Sequence, residues 1–188
     1  RSTESRTSGE LVVEPMMLSE LADYYEAKGI APQDFRCRYA AICSAESPRF
    51  TTAKASFVGT EYEKGSGPRL LFLSLDSGSA EADPIRKTIE AVRDHELRED
   101  VAALPKGKHW YLTHELAWRL LRHFHPRLKI TTTSPYFAHV NSAKCCQNNP
   151  HRGKAHKTLF ANCREFIPGE LAVLQPDIIV TQGGEAKD

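Results

Sequence analysis

A short, continuous apolar run constrains the fold of this chain most strongly. Residues 69–75 read RLLFLSL and lead directly into DSG at 76–78. An apolar run of this length is typical of a strand buried on both faces, and the small polar residues after it indicate a turn. The pattern returns at 177–181, where DIIVT precedes two glycines. We therefore expect a mostly parallel sheet, which helices normally cover on both faces.

Other segments between these runs carry helical or strand patterns. Apolar residues at helical spacing predict a helix that begins near Leu18 and ends before Gly29. Further helices are expected at 84–94, at 114–124 and within 157–174, the last divided near Pro168, and further strands at 54–59 and within 136–141. This order predicts an α/β fold with three layers, in which a mostly parallel central sheet lies between helices.

Length and composition indicate one domain. The chain has 188 residues, of which 40% are hydrophobic and 26% are charged, as in ordinary globular proteins. Residues 1–15 are rich in Ser, Thr and Arg, so we expect a flexible leader followed by a single domain over 16–188. No stretch approaches the roughly 18 apolar residues of a membrane helix, and the start lacks a signal-peptide pattern. We expect a monomeric cytoplasmic protein without membrane contact.

Positive charge is concentrated in one segment. Residues 116–164 contain nine Lys or Arg and no Asp or Glu, although the net charge of the chain is only +1. Folding would present this charge on one part of the surface, where polyanions are attracted. A solvated basic surface without a ligand is the alternative, but we favour a nucleic-acid or phosphate partner because a long run of one sign repels itself. The candidate contacts to a DNA backbone are Lys144, Arg152, Lys154 and Lys157.

The five cysteines form two groups. Cys37 and Cys43 lie near the front, and Cys145, Cys146 and Cys163 lie far downstream. An odd number in a chain of this length argues against a disulfide framework. Two distant pairs of thiols suggest a four-thiolate site closed by folding, which suits zinc or an iron–sulfur cluster. Alternatively, some of these cysteines are simply buried apolar residues, because free cysteine is often buried.

Polar residues end each predicted strand. Asp76 follows the first strand, Asn141 ends the second, and QGG at 182–184 follows the third. Ligands of parallel α/β sheets bind at the carboxyl ends of the strands, so we expect these residues to surround one crevice. Each also has an ordinary structural alternative. Asp76 could end its strand as an Asx turn, and Asn141 could be a buried amide satisfied by the backbone.

Two stretches resemble a known protein family. VNSAKCC at 140–146 and NCREFIPGELAVLQPDIIVTQGGEA at 162–186 are similar, in order and spacing, to the iron–sulfur branch of the uracil-DNA glycosylase superfamily. The resemblance extends over about residues 35–186 and implies the three-layer fold of that superfamily. It also implies a 4Fe-4S cluster, with zinc as the alternative metal. The implied ligands are Cys37, Cys43, Cys145 and Cys163, which leaves Cys146 over.

The resemblance further implies a DNA glycosylase, which flips a nucleotide out of the duplex and hydrolyses its N-glycosidic bond. Asp76 stands where other uracil enzymes of the superfamily carry a water-positioning aspartate, so it is the candidate catalytic residue. A carboxylate there can stabilise the positive charge that develops on the sugar. The candidates for binding the base are Asn141, the backbone amides of Ser77 and Gly78, and Tyr111, although an aromatic residue is more often part of the core.

The expected substrate is uracil or another modified pyrimidine, in base-excision repair of DNA. An alternative is a bulky phage-modified cytosine, excised in antiviral defence, because the first strand is followed by small residues at 77–80. Another alternative is a non-catalytic nucleic-acid-binding module that keeps the metal and the basic surface. The family continues to a His-Pro-Ser motif that this sequence lacks, so we expect the family's C-terminal segment to be missing here.

Overall fold

A computed structural model describes residues 16–47, 49–77, 81–147 and 155–187, which form a mixed α/β fold around a four-stranded sheet. The strands are β1 (Phe57–Val58), β2 (Leu70–Asp76), β3 (Phe137–Ala143) and β4 (Ile178–Thr181), in the spatial order β1-β3-β2-β4. β2 is parallel to both β3 and β4, whereas β1 is antiparallel to β3. The prediction of a mostly parallel sheet in an α/β fold is confirmed.

The helices are α1 (Met16–Ala27), α2 (Ala40–Ala45), α3 (Thr60–Lys64), α4 (Ile89–Arg98), α5 (His109–Leu121), α6 (Lys157–Cys163), α7 (Ile167–Leu174) and α8 (Gly184–Lys187). The sequence patterns did not predict α2, α3 and α8, and they placed the start of α5 one turn too late.

Two predicted helices are divided in the structure. The segment 84–94 begins as a 3-10 helix at Pro84–Lys87, and α4 starts only after Thr88, whose hydroxyl accepts from the Ala91 N–H at 3.3 Å. The segment 157–174 is divided by a 3-10 helix at Arg164–Phe166. Pro168 lies in the first turn of α7, where a missing N–H costs nothing.

Each face of the sheet carries its own hydrophobic cluster, because side chains alternate along β2 and β3. The first cluster includes Leu71, Leu73, Ala138 and Val140 from the strands, with Leu21, Leu159 and Leu174 from α1, α6 and α7. The second includes Leu70, Phe72 and Phe137, with Ala117 and Leu121 from α5. Toward their carboxyl ends, β2 and β3 carry polar residues, including Ser74 and Asp76 on β2 and Asn141 on β3.

Several sequence-based predictions lie outside the described residues. They are the leader at 1–15, the base-binding Gly78, and the DNA-backbone contacts Arg152 and Lys154. Among the residues that the structure does describe, no helix is long and apolar enough to cross a membrane.

Candidate active site

The candidate site lies where β2 and β3 end, on the face that α5 covers. In the parallel register, Phe72 is opposite His139 and Ser74 is opposite Asn141. Register partners project to the same face, and so do residues two apart on one strand. Asp76 is opposite Ala143, two residues after Asn141, so these two predicted site residues lie near the ends of neighbouring parallel strands.

Asp76 is the last residue of β2 and is partly buried. Burial raises the pKa of its carboxyl group, and hydrogen bonds from its own N–H and from the Ala155 N–H act in the opposite direction. Ala155 lies two residues before the start of α6, where Lys157 is exposed. A partly buried carboxylate with fixed donors is an arrangement often found at catalytic sites.

A chain of hydrogen bonds that the sequence analysis missed crosses this face. Ser74 Oγ lies 2.8 Å from His139 Nε2 and donates to Gln182 Oε1. Gln182 Nε2 donates to Thr113 Oγ1 of α5 at 3.0 Å. Because Ser74 gives its only proton to Gln182, His139 must donate to Ser74 through a protonated Nε2. The alternation of a strand could have identified His139, which is two residues before Asn141.

Trp110 is the aromatic residue that packs against this network. Its ring centroid lies 5.0 Å from that of His139 and 5.1 Å from that of His114. Its indole N–H donates to Glu99, which fixes the plane of the ring. Tyr111 is the next residue of α5, about 100° further around the helix axis, so stacking of Tyr111 on a base stays a prediction.

Burial keeps the histidines of this face neutral. It lowers the pKa of His139 to about 3, with a smaller contribution from His109 and nearby lysines, and lowers the pKa of His114 to about 4. His114 Nδ1 lies 2.7 Å from Thr133 Oγ1, while its Nε2 has no hydrogen-bond partner among the described residues. At neutral pH, His139 and His114 therefore add hydrogen-bonding groups to the site without adding positive charge.

These neutral histidines should make the protein less stable in acid. A histidine of the unfolded chain titrates near pH 6.5, whereas folded His139 stays neutral down to a pKa of about 3. As the pH falls below 6.5, the unfolded chain binds the proton first, which costs up to about 1.4 kcal/mol of unfolding free energy per pH unit. We expect His139→Gln to reduce this decline, measured by urea titration between about pH 6.5 and 4. The exposed His123→Gln is the control, and equal slopes for H139Q and H123Q would contradict the prediction.

Four cysteines from opposite ends of the sequence converge. Cys43, Cys145 and Cys163 belong to the first hydrophobic cluster, and Cys37 packs against it. Burial raises the pKa of the Cys145 thiol well above its ordinary value, and the nearby thiols of Cys163, Cys37 and Cys43 raise it further. Burial likewise raises the pKa of Cys163 to about 11, with Cys43 adding to the effect. Cys145 therefore lies within electrostatic range of the other three thiols.

Polar hydrogens point at these sulfurs. The Lys144 N–H donates to Cys163 Sγ at 3.3 Å, and Asn162 Nδ2 donates to Cys43 Sγ at 3.4 Å. Donors to sulfur stabilise metal-bound thiolates, so the donor chemistry fits a thiolate-ligated metal. Among the described residues, no group of three or more His, Cys, Asp or Glu already has a metal-binding arrangement. Metal binding would therefore have to draw the four sulfurs closer together.

Cys146 differs from the other four. Its backbone exchanges hydrogen bonds with Thr51, with N–H to O distances of 2.8 and 3.2 Å. The thiols of Cys145 and Cys146 both raise the pKa of Lys87, on the 3-10 helix before α4. Cys146, however, is not among the thiols that raise the pKa of Cys145. Cys146 is thus buried like its neighbour Cys145 but has different surroundings, which makes it a matched control for that residue.

The prediction that Lys144 contacts DNA is wrong, because its side chain lies inside the protein. Lys144 is only 1% exposed, and its ammonium forms an ion pair with Glu170 of α7. Glu170 also accepts from the hydroxyls of Tyr25, at 2.5 Å, and Ser56, at 2.9 Å. Lys157 is exposed, and its contact with DNA stays a prediction. The other exposed cations of the basic segment are Arg119, Arg122, Arg127, Lys129 and Arg164.

These features define an α/β protein with a hydrogen-bonded polar network near its strand ends and four thiols in one region. No protein-family model matches the chain, and no curated protein is similar to it.

Proposed function

We propose that this protein is a DNA glycosylase that hydrolyses the N-glycosidic bond of uracil or another modified pyrimidine. The observation that carries the proposal is the placement of Asp76 at the end of β2 and of Asn141 near the end of the neighbouring parallel strand β3. The reaction needs a charge that stabilises a cationic sugar and a donor–acceptor pair that reads the base. The resemblance to the iron–sulfur branch supports this proposal and the three-layer fold of that superfamily.

In the proposed mechanism, the target nucleotide leaves the base stack and enters the crevice. Asn141 donates through Nδ2 and accepts through Oδ1 at the amide edge of the pyrimidine. Asp76, held by the Ala155 N–H, orients a water molecule toward the anomeric carbon. The C–N bond breaks with its electron pair on the base, and the water oxygen bonds to the sugar. One water proton passes to Asp76, and the departing base anion takes a proton from solvent.

His139 has a positioning role in this proposal. It donates to Ser74, which in turn donates to Gln182, so the network joins β2, β3, the end of β4 and α5. Its pKa of about 3 keeps it neutral. The network therefore shapes the wall of the crevice without competing with the developing sugar cation for Asp76.

Exposed cations account for the affinity for DNA. Lys157 stands at the start of α6, two residues after Ala155, which contacts Asp76. Contacts of this kind position the backbone and carry no sequence information. Binding should consequently weaken steeply as the salt concentration rises.

The proposed resident cofactor is a 4Fe-4S cluster, with zinc as the alternative. Cys37, Cys43, Cys145 and Cys163 would hold it, because their thiols converge and two of the sulfurs accept polar hydrogens. Such a cluster would link Cys37, in the loop before α2, to Cys145 after β3 and to Cys163 at the end of α6. Every step of the hydrolysis described above belongs to side chains of the chain and to water.

Metal content should distinguish Cys145 from Cys146. We expect Cys145→Ser to lose the blue-violet absorption band and most of the about four irons per chain, and Cys146→Ser to retain both. The measurement is an absorption spectrum with iron and zinc analysis of protein purified without oxygen. A metal-free natural protein, or equal metal loss in C145S and C146S, would contradict the proposed ligand set.

A base-release assay tests the proposed activity directly. Single- and double-stranded oligonucleotides that contain uracil or a modified cytosine are incubated with the protein. Alkali then cuts the strand at each abasic site, and mass spectrometry identifies the free base. DNA binding without release of any base would contradict the proposed enzyme activity and favour a non-catalytic nucleic-acid-binding module.

A further inference from the structure

A cavity lies apart from Asp76 and Asn141, between the segment that precedes β1 and helix α4. Its volume is about 390 Å³. Its lining includes three cationic side chains, from Lys54, Arg86 and Lys87, and the carboxylate of Glu81. Positive charge thus predominates in a cavity that neither the proposed reaction nor the thiol group uses.

Lys87 is a buried cation that lines this cavity. Only 1% of the residue is exposed, and its ammonium donates to the backbone carbonyl of Thr52 at 2.9 Å. A carbonyl is a neutral partner, and the charge of Glu81 offsets only part of the cost of burying the ammonium. Consistent with this, burial lowers the pKa of Lys87. An anion in the cavity would supply the missing compensation.

The other two cations hold their present partners only loosely. Arg86, with 73% of its side chain exposed, lies 3.4 Å from Glu81 and 3.9 Å from Asp83. Lys54 Nζ lies 3.6 Å from Glu96 Oε1. Long or exposed ion pairs contribute little energy. Arg86 can therefore turn to a ligand at small cost, whereas Lys54 also compensates Glu96, which is 9% exposed.

The N-terminus of helix α4 adds positive electrostatic potential to the same cavity. It begins at Ile89, two residues after Lys87, and Ala91 of its first turn lines the cavity. The first turn of a helix carries partial positive charge, which stabilises anions. The dipole and the three cations therefore favour the same class of ligand.

We propose that this cavity binds a phosphate group. Arg86 and Lys54 contact the phosphate oxygens, and Lys87 supplies fixed positive charge from the buried side. The phosphate belongs either to a small phosphate ester or to the backbone of a nucleic-acid strand, since both present the same oxygens. The site does not involve Asp76 or Asn141, so it stands independently of the proposed glycosylase activity.

Thermal unfolding with inorganic phosphate tests the proposal, because a ligand of the folded state raises Tm. We expect Tm to rise saturably with phosphate and to respond less to chloride at equal ionic strength. Arg86→Ala should weaken phosphate binding about tenfold, the loss expected for a charged hydrogen bond. Arg98→Ala is the matched control, because Arg98 is an exposed arginine of α4 that pairs with Asp94. Equal phosphate responses of R86A and R98A would overturn the proposal.

Lys87→Met separates a binding role from a structural one. If Lys87 serves the ligand, K87M should keep its Tm without phosphate and lose most of the rise with phosphate. A lower Tm together with an undiminished rise would assign Lys87 to the fold and overturn its part in the site. If K87M fails to fold, Lys54→Gln carries the same test, because its side chain is at the surface edge of the cavity and 24% exposed.

Competition identifies the source of the phosphate. Displacement of bound inorganic phosphate by a short duplex without terminal phosphates would assign a strand backbone. Displacement by a nucleoside monophosphate alone would assign a small ester. Neither measurement uses base release, so a failure of the glycosylase proposal leaves this result intact.

Discussion

Asp76→Asn is expected to slow base release by about 10²- to 10⁴-fold while leaving DNA affinity unchanged. The substitution preserves the shape of the side chain and an oxygen that accepts from the Ala155 N–H. It removes the negative charge that orients water and stabilises the sugar cation. Release is measured with the oligonucleotide assay under single-turnover conditions, and affinity is measured by fluorescence anisotropy.

The stability of the variant distinguishes this role from a structural one. Because burial raises the pKa of Asp76, a neutral amide should be tolerated at least as well, and Tm should not fall. Asp94→Asn is the matched control, since Asp94 is an exposed carboxylate of α4. Undiminished release by D76N would show that Asp76 is not catalytic. Loss of both release and DNA binding would instead indicate that Asp76 only holds the strand end in place.

The raised pKa also predicts how activity depends on pH. Water activation needs the ionised carboxylate, so the rate of release should fall as the pH drops through the pKa of Asp76. Because that pKa is above the ordinary value for aspartate, the loss should begin at a higher pH than an exposed aspartate would give. A rate profile of the natural protein, compared with its unfolding profile over the same pH range, measures this.

The central strands could be predicted because their signal is local. β2 and β4 are continuous apolar runs bounded by polar turns, and such runs have few alternatives to a buried strand. β1 is different, because only Phe57 and Val58 pair with β3. Its antiparallel direction depends on the path of the chain between strands, which composition does not encode.

The candidate site was predictable to the extent that it follows from strand periodicity. Asp76 ends β2 and Asn141 lies two residues before the end of β3, and the same periodicity would have included His139. Lys144 shows where sequence reasoning fails. Its partner Glu170 lies on another element, so nothing near Lys144 in the sequence indicates that its charge is compensated in the core. The number of basic residues in a segment does not indicate which of their side chains are buried.

Lys144→Met is expected to lower the unfolding free energy by about 3–5 kcal/mol, the usual cost of removing one partner of a buried ion pair. Glu170, which is fully buried, would then lack a cation and would retain only the hydroxyls of Tyr25 and Ser56. Urea unfolding at neutral pH measures the loss. The exposed Lys129→Met removes the same charge from the surface and should have little effect.

A double variant shows whether the cost comes from the unpaired charge or from packing. Adding Glu170→Gln to Lys144→Met removes the orphaned carboxylate and keeps an amide oxygen that can accept from Tyr25, so part of the lost stability should return. A double variant as unstable as K144M would mean that the ion pair is not the cause.

The backbone N–H of Lys144 also donates to Cys163, so a disturbed ion pair should loosen the thiol group as well. Metal content should therefore decrease in K144M and recover in the double variant, which would link the core ion pair to the proposed cluster site.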